Sequence, residues 1–215
     1  MNNSQIPADV YPLFSKPLYI SQFNYDLEDV KSKINNYSWT KATSNQGNAV
    51  IEDNFSKVTE DFFVLNNTEF TDLKKEIEKH LRNYVNEILK WDQKFKLTTS
   101  WFTKSSKNQS TVFHNHNNCM YSGVLYVVVP KEKASITFAN MENIRFLLSS
   151  TQENIYNSNS FTLDLSANTI IFFPSEVYHK INMNKGDTER ISLAFNFIPT
   201  GELGKKNSDS YCEVI

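Results

Sequence analysis

A mainly β chain with helices toward its N-terminal end is what the sequence predicts, on three observations. After Lys96 the chain breaks into short segments rich in Val, Ile, Phe, Tyr and Thr, at 97–104, 121–129, 134–139, 160–165, 169–173, 177–183 and 189–198. Before it, from about Thr71 to Trp91, Leu73, Ile77, Leu81, Tyr84, Val85, Ile88 and Leu89 form one apolar stripe at helical spacing. In the last strand segment Arg190, Ser192, Ala194 and Asn196 alternate with Ile191, Leu193, Phe195 and Phe197, so one face is polar and the other apolar. An apolar face lying under the 71–91 helix leaves the polar face to line a cavity, as a ligand-binding barrel requires. Together these features predict a sandwich or barrel with helices packed on one outer sheet face, and of these a double-stranded β-helix, a cupin-like jelly roll, is the expected architecture.

Taken in order, residues 13–21, interrupted by Pro17, read as a short edge strand. Asp26 to Asn35 carries Leu27, Val30 and Ile34 at helical spacing. Residues 40–60 are polar and irregular, and with the tail after Thr200 they are candidate lids. Gly123 is the only glycine of its strand and permits close approach of a backbone or a ligand. Asn184-Lys185-Gly186-Asp187 is a turn, with Gly186 suited to a positive φ. A hairpin closing symmetrically about it would set His179 opposite Ser192 and Ile181 opposite Arg190. His179, Arg190 and Ser192 would then point the same way.

At 215 residues the chain suits one domain: an N-terminal strand and helical support over 1–95, the β-helix over 96–198 and a tail over 199–215. Apolar residues make up 40% and charged residues 21%, a globular composition. Net charge is −2 and only three of the 22 basic residues are arginines, which disfavours nucleic acid as a partner. The strongest apolar run, Tyr121 to Val129, is too short to span a bilayer, and the N-terminus lacks the pattern of a signal peptide. Cys119 and Cys212 form no Cys-x-x-Cys pair, so the cytoplasm is the expected compartment. Oligomeric state is not readable from composition, and a homodimer is left open.

Three of the four histidines fall in two strand-associated segments. His114 and His116 are an i, i+2 pair, which in extended chain puts both imidazoles on one face. His179 follows His116 by 63 residues, just after the apolar run Ile170-Ile-Phe-Phe-Pro174, and could complete a facial metal site with open positions. The bland alternative is a polar loop pair among asparagines. His80, on the flank of the helical stripe, reads as a partly buried structural histidine. Arg190 follows His179 by 11 residues; its planar fork, with the Ser192 hydroxyl beside it, suits a carboxylate. A surface arginine paired with Glu189 or Asp187 is the competing reading. Asn118, Tyr121, Tyr126 and Asn196, with Trp101 and Phe113, are candidate pocket residues, though the aromatic ones are equally suited to a core.

Three stretches carry a resemblance: Phe113-His-Asn-His-Asn-Asn-Cys-Met-Tyr-Ser-Gly-Val-Leu-Tyr126, Ile170-Ile-Phe-Phe-Pro-Ser-Glu-Val-Tyr-His179 and Glu189-Arg-Ile-Ser-Leu-Ala-Phe-Asn196. They resemble a family of 2-oxoglutarate/Fe(II)-dependent oxygenases of marine bacteria and their phages. The resemblance implies a double-stranded β-helix, Fe(II) held by His114, His116 and His179, and 2-oxoglutarate bound by Arg190 and Ser192. It implies oxidation, most often hydroxylation, of a small-molecule or protein substrate with release of succinate and CO2. The wider superfamily uses His-x-Asp or His-x-Glu, whereas here His116 stands second. Three neutral imidazoles leave the metal site one unit more positive, and Asn118 or an acid from elsewhere is the alternative third ligand.

Two rivals stand beside this reading. A cupin-type metal dioxygenase working without 2-oxoglutarate would use the three histidines, but its pattern wants a glutamate where Met120 and Tyr121 stand. A non-catalytic sugar- or protein-binding jelly roll would hold no stoichiometric metal.

Overall fold

The computed structural model describes residues 9–42, 55–130, 134–141 and 148–215. Much of the expected flap, residues 43–54, lies outside the described residues. Among those described, eight strands form a large sheet in the order β1 (Tyr19–Gln22), β8 (Thr169–Pro174), β5 (Tyr121–Val128), β10 (Arg190–Leu203), β4 (Lys94–Ser105), β3 (Lys57–Thr59) and β2 (Trp39–Lys41), with β11 (Cys212–Val214) also on β10. A small sheet follows the order β7 (Ser160–Asp164), β6 (Ser135–Ala139) and β9 (Tyr178–Ile181). From β5 onward the chain passes large, small, small, large, small, large. This alternation between two antiparallel sheets is the jelly roll that the strand succession predicts.

β9 and β10 therefore do not form a hairpin. β9 pairs with β6, setting His179 beside Phe138, whereas Ser192 of β10 lies between Thr103 of β4 and Tyr126 of β5. Segment 182–189 crosses between sheets instead of turning back. Gly186 takes no positive φ; its N–H donates to Asn184 Oδ1 at 3.0 Å, while the Asn184 amide donates to the carbonyls of Ser105 and Thr188. A buried asparagine, not a glycine conformation, shapes the crossing. The tail is not loose either. β10 runs on to Leu203, and Gly201 to Leu203 pair with Cys212 to Val214.

The helical part packs on the outer face of the large sheet. Helix α1 (Glu28–Ile34) buries Val30 and Ile34, and helix α2 (Thr71–Arg82) buries Leu73, Ile77 and Leu81. They share a cluster with Leu193, Phe195 and Phe197 of β10 and Leu125 and Val127 of β5. Each such aliphatic side chain contributes roughly 1.5–3 kcal/mol by leaving water. Beyond Arg82 the helix widens into a π-helix over Asn83–Ile88, where Leu89 N–H bonds the Tyr84 carbonyl at 3.0 Å. The added residue per turn keeps Tyr84 and Val85 in the core but turns Ile88, 56% exposed, into solvent. A regular stripe to Trp91 is thus overridden.

Odd-numbered residues of β5 face the helices, and Gly123 among them lies between Phe172 of β8 and Phe195 of β10. Those rings stand 5.4 Å apart, centre to centre, across the glycine. A Cβ there would press on the Phe195 ring and come within 2.7 Å of the Ile171 carbonyl oxygen. The close approach foreseen for Gly123 is made by core phenylalanines, not by a ligand. Gly123→Ala is expected to destabilise the fold by about 1–3 kcal/mol through overpacking. Urea unfolding checks this, and an unchanged midpoint would contradict it.

Candidate metal centre and anion pocket

The two sheets face each other, and the inner face of the large sheet carries the polar row. In register, Arg190 lies opposite Ser105, Ser192 opposite Thr103 and Tyr126, Ala194 opposite Trp101 and Val124, and Asn196 opposite Thr99 and Ser122. Directly opposed side chains share a face. The row is polar at both ends with the small Ala194 in the middle.

Three imidazoles converge against this row. His114 and His179 exchange two backbone hydrogen bonds, His114 N–H to His179 O at 3.0 Å and His179 N–H to His114 O at 2.8 Å. That narrow pair ties the His-x-His segment to β9, and His116 N–H is anchored on the Ser175 carbonyl at 3.0 Å. Ring centres are 4.4 Å apart for His114 and His179, 5.1 Å for His116 and His179, and 5.3 Å for His114 and His116. Their candidate ligand atoms all lie within 4.8 Å of one another, and no carboxylate of the described residues belongs to the group.

Each ring is also tied back through Nδ1. His114 Nδ1 lies 2.9 Å from the Val112 carbonyl, His179 Nδ1 3.0 Å from the Val177 carbonyl, and His116 Nδ1 2.7 Å from Asn196 Oδ1. An Nδ1–H donated to oxygen leaves the Nε2 lone pair for a metal. Burial keeps the rings neutral. It lowers His114 against the pull of the Val112 carbonyl, takes His116 down to about 4, and pushes His179 well below the ordinary value, helped by the other two imidazoles. His179 is packed against Phe173 and Phe138, with ring centres at 4.7 and 6.1 Å.

At the other end of the row Arg190 is among the largest fully buried side chains, only 2% exposed. Its Nη2 donates to Ser105 Oγ at 2.8 Å and its Nη1 to the Asn182 carbonyl at 3.0 Å, both neutral acceptors. Asp187 instead pairs with Lys107, and Glu189 accepts a hydrogen bond from Ser106. A surface ion pair for Arg190 is therefore excluded. Burial lowers Arg190 to about 10, with Tyr126 opposing the shift, so it is still charged at neutral pH. Beside it the Tyr126 hydroxyl is fully buried with no hydrogen-bond partner among the described residues. A buried cation held by neutral groups and an orphaned hydroxyl are what a bound carboxylate would satisfy.

The remaining pocket candidates divide. Asn118 is exposed in a left-handed turn with φ 57°. Tyr121 packs in the helix-side core against Tyr84 and Phe95. Phe113 is 37% exposed, with the Lys180 ammonium 4.8 Å over its ring. Trp101 lies 5.7 Å from the His116 ring, at the site. Asn196 sits behind His116. His80 is remote, its Nδ1 2.9 Å from the Tyr19 hydroxyl. Sequence reasoning missed Ser105, Ser122, Ser175 and Asn182. Small polar residues inside strands were the available signal, but their partners depend on cross-strand register.

No protein of curated function matches the chain by sequence. Residues 99–196, just under half of the chain, match the model of a 2OG-Fe(II) oxygenase family. Similar solved structures include HygX from Streptomyces hygroscopicus with nickel, 2-oxoglutarate and hygromycin B bound, at 11% identity and a TM-score of 0.59, covering 86% of this chain and 84% of that one. A Pseudomonas putida prolyl-4-hydroxylase is similar at 14% identity and a TM-score of 0.56, over 86% and 94%. A 2OG-Fe(II) oxygenase family oxidoreductase from Burkholderia pseudomallei is similar at 9% identity and 0.57, over 80% and 78%. No helix among the described residues is long and apolar enough to cross a membrane. Residues 99–196 are thus similar to that oxygenase family, and the chain shares its fold with these structures.

Proposed function

We propose that the chain is a 2-oxoglutarate- and Fe(II)-dependent dioxygenase that hydroxylates a small-molecule or protein substrate. The observation that carries this reading is the pairing, inside one jelly roll, of three tied-back neutral imidazoles with a buried guanidinium that donates to neutral acceptors. His114, His116 and His179 would hold the metal. Arg190, Ser192 and Tyr126 would hold the far carboxylate of 2-oxoglutarate. When bound, Fe(II) and 2-oxoglutarate supply oxidation of a substrate C–H bond by O2, with release of succinate and CO2.

The chain's own part is orientation and exclusion. The three imidazoles would supply the metal with neutral nitrogen donors. The guanidinium fork would orient the cosubstrate through charge-assisted hydrogen bonds, each contributing about 1.5–3 kcal/mol. Phe138 and Phe173 shield the His179 side from water, and Trp101 forms an apolar wall near His116. HygX with hygromycin B bound and the prolyl-4-hydroxylase support looking among both small molecules and peptide side chains. The two free cysteines, Cys119 and Cys212, suit a reducing compartment such as the cytoplasm.

Anaerobic addition of 2-oxoglutarate to the Fe(II)-loaded protein is expected to produce a visible charge-transfer band saturating at one equivalent, and succinate should form once O2 is admitted. Stoichiometric metal without the band would favour a cupin-type dioxygenase independent of 2-oxoglutarate. Absence of stoichiometric metal would favour a non-catalytic jelly roll.

A further inference from the structure

We propose that Asn196 is a positioning residue that holds the His116 ring and its tautomer for metal binding, as the centre of a buried hydrogen-bonded knot with Ser122, Ser175 and Thr99. This rests on the reading of His116 as a metal ligand. Asn196 Oδ1 lies 2.7 Å from His116 Nδ1 and accepts the Ser122 hydroxyl at 2.7 Å, while its Nδ2 donates to Thr99 Oγ1 at 2.9 Å. Ser122 Oγ also lies 2.9 Å from His116 Nδ1 and 2.8 Å from Ser175 Oγ. Ser122, Ser175 and Asn196 are all buried.

The register explains how the knot forms. Asn196 is opposite Thr99 on β4 and Ser122 on β5, so three neighbouring strands each deliver one polar side chain to the same inner face. Ser175 follows β8, and its carbonyl fixes the His116 backbone as well. With the Asn196 amide nitrogen committed to Thr99, its oxygen faces the imidazole. His116 Nδ1 must then carry the proton and Nε2 keeps its lone pair.

His116 is held differently from its neighbours. His114 and His179 each lean on the carbonyl two residues back in their own segment, a local device that side-chain substitution does not remove. His116 leans on side chains from other strands, and a single substitution can release it. The neutral amide also differs from the carboxylate that often backs a metal-binding imidazole, since a carboxylate would make the ring a stronger donor.

Cobalt(II) titration of the full chain, read by its d–d absorption, tests this on the wild type, Asn196→Ala, Asn196→Asp and Ser122→Ala, with metal-free thermal unfolding as the folding control. Asn196→Ala is expected to weaken Co(II) binding about 10- to 100-fold, Ser122→Ala to weaken it less, and Asn196→Asp to bind at least as tightly as the wild type. A purely structural role predicts lower melting temperatures with unchanged Co(II) affinity in the folded protein, and that result overturns the proposal. If Asn196→Ala does not fold, weakening by Asn196→Asp overturns it, and retained tightness there with weakening by Ser122→Ala supports it. Failure of the wild type to bind Co(II) would sink the oxygenase reading too. Wild-type metal binding and a 2-oxoglutarate response, alongside an Asn196→Ala protein that binds Co(II) equally well, would sink this inference alone.

Discussion

His179→Ala is expected to cost the protein its metal. A ligand-backing group typically contributes 10–100-fold in affinity, so removal of a ligand should weaken Fe(II) or Co(II) binding by more than about 100-fold. The effect is larger here than at an exposed site, because His179 is the most deeply buried of the three. Loss of the ring also opens space beside Phe173 and Phe138. The metal-free protein should therefore lose about 2–4 kcal/mol of stability, as large-to-small core changes do. Metal analysis after loading, together with denaturant unfolding of the metal-free form, separates the two effects. Stoichiometric metal in folded His179→Ala would contradict the assignment of that ring.

Arg190→Ala is the second large effect, and it falls on 2-oxoglutarate, not on the metal. Truncating one partner of a buried, hydrogen-bonded charge pair costs about 2–5 kcal/mol, or roughly 30-fold and upward in affinity. Anaerobic titration of the Fe(II) protein followed by the charge-transfer band reads that loss directly. Arg190→Lys should fall between, since it keeps the charge but not the planar fork that reaches Ser105 and Asn182 together. Metal affinity should stay near that of the wild type in both variants. Unchanged 2-oxoglutarate affinity in Arg190→Ala would remove Arg190 from the site.

Much of this is legible in the sequence because strands write their faces into alternate residues. The split of 190–197 into a polar and an apolar face correctly gives the helix-side core and the cavity side. Alternation does not name the neighbouring strand, however. The turn at 184–187 looks like a hairpin, yet it carries the chain from one sheet to the other, so His179 and Ser192 never oppose each other. The same parity rule could have settled Tyr121. It lies five residues from Tyr126, so the two cannot share a face of β5, and Tyr121 goes with Gly123, Leu125 and Val127. β2, β3 and β11, each three residues long and polar, gave no periodic signal. The outward turn of Ile88 depends on a π-helix that apolar spacing does not announce. Asn196 was visible as a polar residue on the inner face, but its grip on His116 exists only through register with Thr99 and Ser122.

The crossing at 182–189 puts the β9 imidazole and the β10 guanidinium on opposing walls. A metal joined to a dicarboxylate would therefore act as a staple between two leaves of the molecule. Loading should stiffen the protein as a whole, by about 2.7 kcal/mol at a hundredfold excess over the dissociation constant. Slowed amide exchange would then reach strands of both sheets at once, well beyond the residues in contact.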